Sequence, residues 1–269
     1  MTDIDLSMYA INSLHIDSFK GLSQLQNMDL SLDTLQYFQP LTFHHLINLT
    51  RLELELKNVE CLDEYTFYGM VNLKLINLNL RNTTMLGPYV FSGLHKLERI
   101  EIYSNLSCLD RDCFHGLQNI LSIDITDNTL EIIDPDIFKG LYSLDTIFME
   151  FKKMTDVNLN LKNLFDLECF SFRESRIQSI NEDMFEGLAS LESIDLSENK
   201  LTMLYPETFL GLISLRTLLL TGNELTQLNP IIFKDLENTN ITLSDNKLSH
   251  DNIEAIKDFN FSSNIEVIF

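Results

Sequence analysis

The sequence is short of positive charge and of long apolar runs. It has 19 lysines and arginines against 40 aspartates and glutamates, a formal net charge of −21. That surplus repels nucleic acid phosphates and anionic membranes over long range. No stretch approaches the roughly 18–20 apolar residues of a membrane span, and the start, MTDIDLSMYA, does not resemble a secretory signal. We therefore expect no nucleic acid partner, and neither a signal peptide nor a transmembrane segment in this chain.

Metal-binding and catalytic motifs are also missing. The four cysteines form no C-x-x-C pair and lie at no zinc spacing with histidine: Cys61, Cys108, Cys113 and Cys169. The six histidines are scattered, and the sequence has no Ser-His-Asp arrangement, nucleophile elbow or glycine-rich phosphate loop. We expect no metal site, no cofactor and no enzymatic activity.

The sequence has instead a repeat of 23 or 24 residues. FEGLASLESIDLSENKLTMLYPET at 185–208 is followed directly by FLGLISLRTLLLTGNELTQLNPII at 209–232. A single globular core does not require apolar residues to recur at a fixed interval of 23 or 24 residues. The residue that opens each repeat is apolar throughout: Phe19, Phe43, Phe67, Phe91, Phe114, Phe138, Leu161, Phe185, Phe209, Phe233 and Ile256.

Each repeat contains the pattern of a short strand. Apolar residues nine and eleven positions after the phenylalanine, such as Ile194 and Leu196, alternate with outward residues. One repeat has too little apolar surface to fold alone, so neighbours must stack. We predict an α/β repeat fold: a curved solenoid with a parallel β-sheet on the concave face and loops and short helical turns on the convex face. Residues 1–269 would form one array of about ten full repeats plus partial repeats at both ends.

The recurring pattern F-x-G-L-x-x-L-x-x-L-x-L-x-x-N-x-L-x-x-L resembles the typical-class leucine-rich repeat of animal extracellular proteins. Within that class it is most similar to Toll-like receptor ectodomains and related insect receptors. The resemblance implies the protein-binding, ligand-recognition part of a cell-surface or secreted receptor in signal transduction and innate immunity. It places the full-length protein outside the cell or at its surface. An adhesive or matrix protein and an intracellular scaffold are the alternatives.

The resemblance also implies an asparagine ladder, in which an Asn after each strand hydrogen-bonds the backbone of the adjacent turn. Five asparagines occupy that slot: Asn105, Asn128, Asn199, Asn223 and Asn246. Other residues stand there in several repeats, where Asn58 and Asn82 are expected to serve from one residue further on.

The outward strand residues make the concave face the candidate ligand site. Two interpretations of its many carboxylates remain open: contact with a basic protein ligand, or solvated side chains that cap turns. Tyr103, Phe148 and Phe151 are predicted to point outward as apolar anchors. The full set of candidates is Arg51, Glu53, Arg99, Glu101, Tyr103, Asp124, Phe148, Phe151, Arg173 and Asp195.

Sequons predict N-glycosylation at Asn48, Asn82, Asn240 and Asn260. Asn105 also begins a sequon, but its ladder slot predicts a buried, unused amide. Cys108 and Cys113 can pair or remain free, whereas Cys61 lies two repeats, about 10 Å, from Cys108, beyond the roughly 7 Å limit for a disulfide.

Both chain ends fall inside a repeat, so we expect a piece of a longer protein. The uncapped ends should exchange amide hydrogens fastest. Self-association through these ends or through the concave face is a further expectation.

Overall fold

The computed structural model describes residues 2–6, 8–9, 11, 13–259, 261 and 264–269, and the chain divides into two compact units, Met1–Leu144 and Asp145–Phe269. Each unit is a β-solenoid that contributes one parallel strand per repeat, as the 23- or 24-residue register predicts. The predicted fold class is thus confirmed for each unit. That residues 1–269 form one array stays a prediction.

Unit 1 consists of two parallel sheets. Residues one repeat apart lie opposite each other, as Leu52, Ile76 and Ile100 do. Strands β4, β6 and β8 form a small sheet, and the other strands form the main sheet. The strands are β1 (Asp3–Asp5), β2 (Asn27–Leu32), β3 (Arg51–Leu56), β4 (Cys61–Leu62), β5 (Leu75–Leu80), β6 (Met85–Leu86), β7 (Arg99–Ser104), β8 (Cys108–Leu109) and β9 (Ser122–Asn128).

The core of unit 1 is a continuous stack of phenylalanine rings. Neighbouring rings from Phe19 to Phe138 lie 5.5–6.3 Å apart between centroids and are nearly parallel. All are buried. Except after Phe43, a glycine two residues after each ring makes the tight turn: Gly69 has φ +103°, and a Cβ there would lie 2.5 Å from the Cα of His44. The phenylalanine and glycine of the repeat therefore set the spacing at which neighbours pack.

Unit 2 repeats the same plan with shorter strands and two helical segments. Strands β11 and β13 form a small parallel sheet. The α-helix α1 (His250–Lys257) begins at Ser249, whose side chain accepts the Asn252 N–H, and it buries Ile256 in the repeat's opening slot. The strands are β10 (Thr146–Phe151), β11 (Asp156–Val157), β12 (Cys169–Ser171), β13 (Ser179–Ile180), β14 (Ser193–Asp195), β15 (Thr217–Leu219), β16 (Asn240–Thr242) and β17 (Glu266–Ile268), with a 3₁₀ helix at Pro230–Phe233.

Extra aromatic side chains fill the core of unit 2 where Leu161 replaces the repeat's phenylalanine. Phe151 packs edge-on against Phe172 at 4.9 Å, and Phe170 packs edge-on against Phe185 at 5.2 Å. The prediction that Phe151 points outward is therefore wrong, since its side chain is fully buried. Strand β10 alternates with period two, so Phe148 points outward and Phe151, three residues on, points inward.

Asparagine side chains close the strands of unit 2. Asn223 accepts the N–H of Leu201 at 3.0 Å and donates to the carbonyls of Leu196 and Leu220 at 2.9 and 3.1 Å. These backbone groups are buried, so the side chain replaces the hydrogen bonds that water cannot supply. The same pattern of bonds is made one repeat away on either side, by Asn199 and Asn246.

The strand ends of unit 1 are satisfied in a different way. Asn128 is buried and accepts the N–H of Leu130 at 3.2 Å. The prediction that Asn105 fills the same slot is wrong, because Asn105 is exposed. Strand β7 stays extended through Ser104, which points inward and is 5% exposed, so the next residue points outward. Asn58 and Asn82 donate instead to main-chain carbonyls one repeat earlier.

Candidate ligand-binding face

Strand pairing aligns carboxylates on the outward side of the sheet in unit 1. Successive strands lie about 4.8 Å apart, and the central outward residues of neighbouring strands lie directly opposite each other. Like charges at this spacing repel. We call this set the acidic column: Asp5, Asp29, Glu53, Asn77, Glu101 and Asp124.

The structure shifts the ionisation of two members of the acidic column. Burial, together with the neighbouring charge of Glu101, raises the pKa of Asp124 to about 6, whereas Arg99 acts in the opposite direction. Burial and then the charges of Asp5 and Glu53 raise the pKa of Asp29. The Oδ1 of Asp124 is buried and has no hydrogen-bond partner among the described residues. At Asp124 the column therefore holds a carboxylate with one oxygen that no hydrogen bond from the described residues compensates.

Two arginines and a tyrosine flank the acidic column. The Nε of Arg51 donates to Glu53 at 3.0 Å, and Arg99 lies 3.7 Å from Glu101. Both arginine side chains are more than half exposed, so solvent screens these pairs. Tyr103 is 45% exposed and adds an aromatic ring to this face. The structure thus brings together six of the predicted residues: Arg51, Glu53, Arg99, Glu101, Tyr103 and Asp124.

The corresponding column of unit 2 is mostly neutral. Its aligned residues are Phe148, Ser171, Asp195, Leu219, Thr242 and Ile268. The guanidinium of Arg173 lies 5.8 Å from the centre of the half-buried Phe148 ring, within cation–π range. Asp195 accepts the N–H of Ser197 at 2.9 Å, so this carboxylate caps a turn. The turn-capping interpretation therefore describes Asp195, but it does not describe Asp124.

A second asparagine ladder, which the sequence analysis missed, lies outside the strands of unit 1. The side chains of Asn48, Asn72 and Asn119 donate to main-chain carbonyls of the preceding repeat at 2.6–2.8 Å. Each stands five residues after its repeat's phenylalanine, and this recurrence is the signal that could have revealed it. The predicted glycan acceptor Asn48 is therefore half-buried and hydrogen-bonded through its amide nitrogen.

The other predicted acceptors differ in setting. Asn82 and Asn240 are exposed, and Asn82 also donates to the carbonyl of Lys57. Asn240 begins β16 and points to the outward side of the sheet in unit 2. Asn260 lies outside the described residues.

The cysteines are free thiols in different environments. Cys113 is buried, Cys61 is intermediate, and Cys108 and Cys169 are exposed. Burial, with a hydrogen bond to Asp63, raises the pKa of the Cys61 thiol to about 12. No three His, Cys, Asp or Glu side chains among the described residues are grouped to hold a metal ion. Within the same residues, no helix is long and apolar enough to cross a membrane.

The parallel strands, phenylalanine stack and asparagine ladder together define a leucine-rich repeat solenoid. Sequence profiles agree. One described as a BspA type leucine rich repeat region matches residues 1–116 and 78–175, and another described as leucine rich repeat matches 166–225. The chain belongs to the leucine-rich repeat family.

Solved structures with a similar fold include Toll-type ectodomains. The TLR13–ssRNA13 complex aligns over 99% of this chain with 21% identity and a TM-score of 0.73. The Toll–Spatzle complex of Drosophila aligns over 95% with 21% identity and a TM-score of 0.72. This chain spans 43% and 35% of the length of those two chains. No curated protein matches the sequence significantly.

Proposed function

We propose that this chain is the ligand-recognition part of a Toll-like receptor or a related receptor, at the cell surface or secreted. It acts by binding a protein, not by catalysis. The observation that carries the proposal is the acidic column of unit 1, in which Asp124 is partly buried and its Oδ1 lacks a hydrogen-bond partner among the described residues. A surface of this kind attracts a basic protein ligand.

A cationic ligand would relieve the repulsion that the fold leaves in place. Lysine or arginine side chains placed over Glu101 and Asp124 would offset the mutual repulsion of these two carboxylates. Tyr103 stands beside them, and exposed tyrosines are frequent anchors of protein interfaces. Charge would set the rate of approach, and the aromatic contact would slow dissociation.

The known complexes of similar structures include both kinds of macromolecule, since one holds ssRNA and the other holds the protein Spatzle. The fold alone therefore does not choose between them. For this chain the net charge of −21 and the acidic column favour a basic protein over a nucleic acid.

Binding of a labelled decalysine peptide tests the proposal. The double charge reversal Glu101→Lys with Asp124→Lys should slow association about tenfold at about 0.1 M salt, where the Debye length is about 10 Å. The effect should largely vanish at about 1 M salt, where the Debye length is about 3 Å. Stopped-flow fluorescence gives both rates.

The matched control reverses two exposed carboxylates of unit 2 that lie outside its strands, Glu182→Lys with Glu207→Lys. It changes the net charge equally but leaves the acidic column intact. If the control slows association as much as the first variant, net charge and not the column attracts the peptide. Absence of binding at low salt would contradict the proposal outright.

A further inference from the structure

Asn105 stands next to the acidic column on the outward side of the sheet. Along β7, Arg99, Glu101 and Tyr103 point outward, and the buried residues between them point inward. Asn105 follows as the next outward residue and is exposed. Two residues of an extended chain span about 6.6 Å. Asn105 is therefore exposed two residues beyond Tyr103, at the end of β7.

The backbone distinguishes Asn105 from the ladder asparagine one repeat later. Asp127 takes a left-handed conformation with φ 60°, and the chain turns so that Asn128 is fully buried. The aligned Ser104 is not left-handed, and it occupies the inward slot itself. Among the described residues, no hydrogen bond engages the Asn105 side chain, whereas Asn128 is held in the core.

The sequence around this exposed amide is an acceptor for N-linked glycan, Asn105-Leu106-Ser107. Ser107 is exposed, and the fully buried Leu106 fixes the segment between the two polar residues. We propose that Asn105 carries an N-linked glycan that covers the Tyr103 end of the acidic column and restricts which ligands reach it. This rests on the proposed function, because the modification requires passage through the secretory pathway.

The modification is a transfer from a lipid-pyrophosphate-linked oligosaccharide. The amide nitrogen of Asn105 forms a bond to the anomeric carbon of the first sugar, and the bond from that carbon to the pyrophosphate oxygen breaks. The lipid pyrophosphate leaves, and the displaced amide proton passes to a base of the transferase. Nothing is oxidised or reduced.

The glycan, with its bound water, would sterically block part of the binding face. A branched, strongly hydrated group is bulky, and it would lie over Tyr103 before it reached the strands on the other side of β7. A small cationic segment could still reach Glu101 and Asp124 from the β9 side, whereas a broad protein surface would meet the sugar first. The structure thus assigns Asn105 a role in selecting ligands by size.

Occupancy is measured on the full chain secreted from a eukaryotic cell line behind an added leader. Enzymatic deglycosylation in ¹⁸O water converts a glycosylated Asn105 to labelled aspartate, which peptide mass spectrometry detects. Asn105→Gln and Ser107→Ala should each lose one glycan, while Ser107→Thr keeps the acceptor pattern and should retain it. Other sequons serve as internal standards. An unmodified Asn105 alongside a glycosylated Asn82 or Asn240 would overturn the inference and leave the proposed function standing.

Access is measured with two probes, the decalysine peptide and a decalysine segment fused to a globular carrier protein. Asn105→Gln should bind the fused probe a few-fold faster than the glycosylated chain, with little change for the free peptide. Equal rates for the fused probe, with Asn105 occupied, would overturn the shielding role. Failure of both probes to bind either chain would instead contradict the proposed function, because occupancy is established separately.

Discussion

The repeats with strands β3, β5 and β7 end their strands differently from those with β14, β15 and β16. The first three strands run for six residues and alternate outward and inward throughout. The last three run for three residues, and an asparagine side chain then enters the core. One sequence register thus supports two ways of satisfying the same backbone groups, and the residue just before the asparagine slot decides between them.

That residue shows a clear conformational difference between the two groups. Glu198, Gly222 and Asp245 are all left-handed, with φ between 55° and 69°. The aligned Leu80 and Ser104 are extended and buried within their strands. A left-handed residue turns the chain so that the following asparagine points inward. An extended residue instead continues the alternation of the strand, so that the following residue points outward. The outward side of the sheet is therefore longer along β3, β5 and β7, and Tyr103 and Asn105 are exposed at the end of β7.

The largest effect expected from this comparison concerns the ladder itself. Asn223→Ala leaves the buried N–H of Leu201 without its acceptor and should lower the free energy of unfolding by about 2–3 kcal/mol. Asn82→Ala removes an exposed donor that water can replace, and it should cost less than about 1 kcal/mol. Urea unfolding of both variants measures the difference. Equal losses would show that the two strand ends depend on asparagine alike.

Much of this architecture could be predicted from the sequence, and the failures have one cause. The phenylalanine register and the inward slots of each strand follow from spacing, and the ladder asparagines at 199, 223 and 246 follow from the family resemblance. The predictions for Phe151 and Asn105 are wrong because the repeat pattern fits the three-residue strands β14–β16, whereas β7 and β10 run for six residues. Strand length depends on whether neighbouring repeats continue to pair, which is a packing property between repeats. The second ladder, at Asn48, Asn72 and Asn119, recurs five residues after the repeat's phenylalanine and so is visible in the sequence. The family pattern does not include this position.

The central columns of the two units should also differ in how their carboxylates make stability depend on pH. The folded-state pKa of Asp124, about 6, lies above the ordinary value of 3.8. Stability from its protonated form is present below about pH 4 and is lost as the pH rises through 6. Asp124→Asn, which cannot ionise, should therefore stabilise unit 1 at pH 7 by about 1 kcal/mol, after discounting for the partial exposure of the carboxyl.

The control for that prediction is Asp195→Asn in unit 2, where the amide oxygen can still accept the Ser197 N–H. It should give no comparable gain. Urea unfolding at pH 4.5 and pH 7 tests both variants against the parent chain. If the extra stability of Asp124→Asn over the parent chain does not shrink as the pH falls, it does not arise from ionisation of Asp124. Charge on the acidic column would then not destabilise the fold.

The smallest effect tests the residue that decides between the two strand ends. Glu198→Gly should stabilise unit 2 by up to about 1 kcal/mol, because glycine takes the left-handed conformation without the strain of a Cβ, although some gain is lost to the freer unfolded chain. Ser104→Gly, at the aligned position in β7, should be about 0.5–1 kcal/mol less stable than Ser104→Ala, because both variants lose the buried, unpartnered hydroxyl and glycine also weakens an extended strand. Opposite signs in urea unfolding are the expected result, with the parent chain as the reference for Glu198→Gly and Ser104→Ala as the reference for Ser104→Gly. If both substitutions shift stability in the same direction, the local backbone conformation does not distinguish the two kinds of repeat, and the difference in strand length must come from contacts between neighbouring repeats.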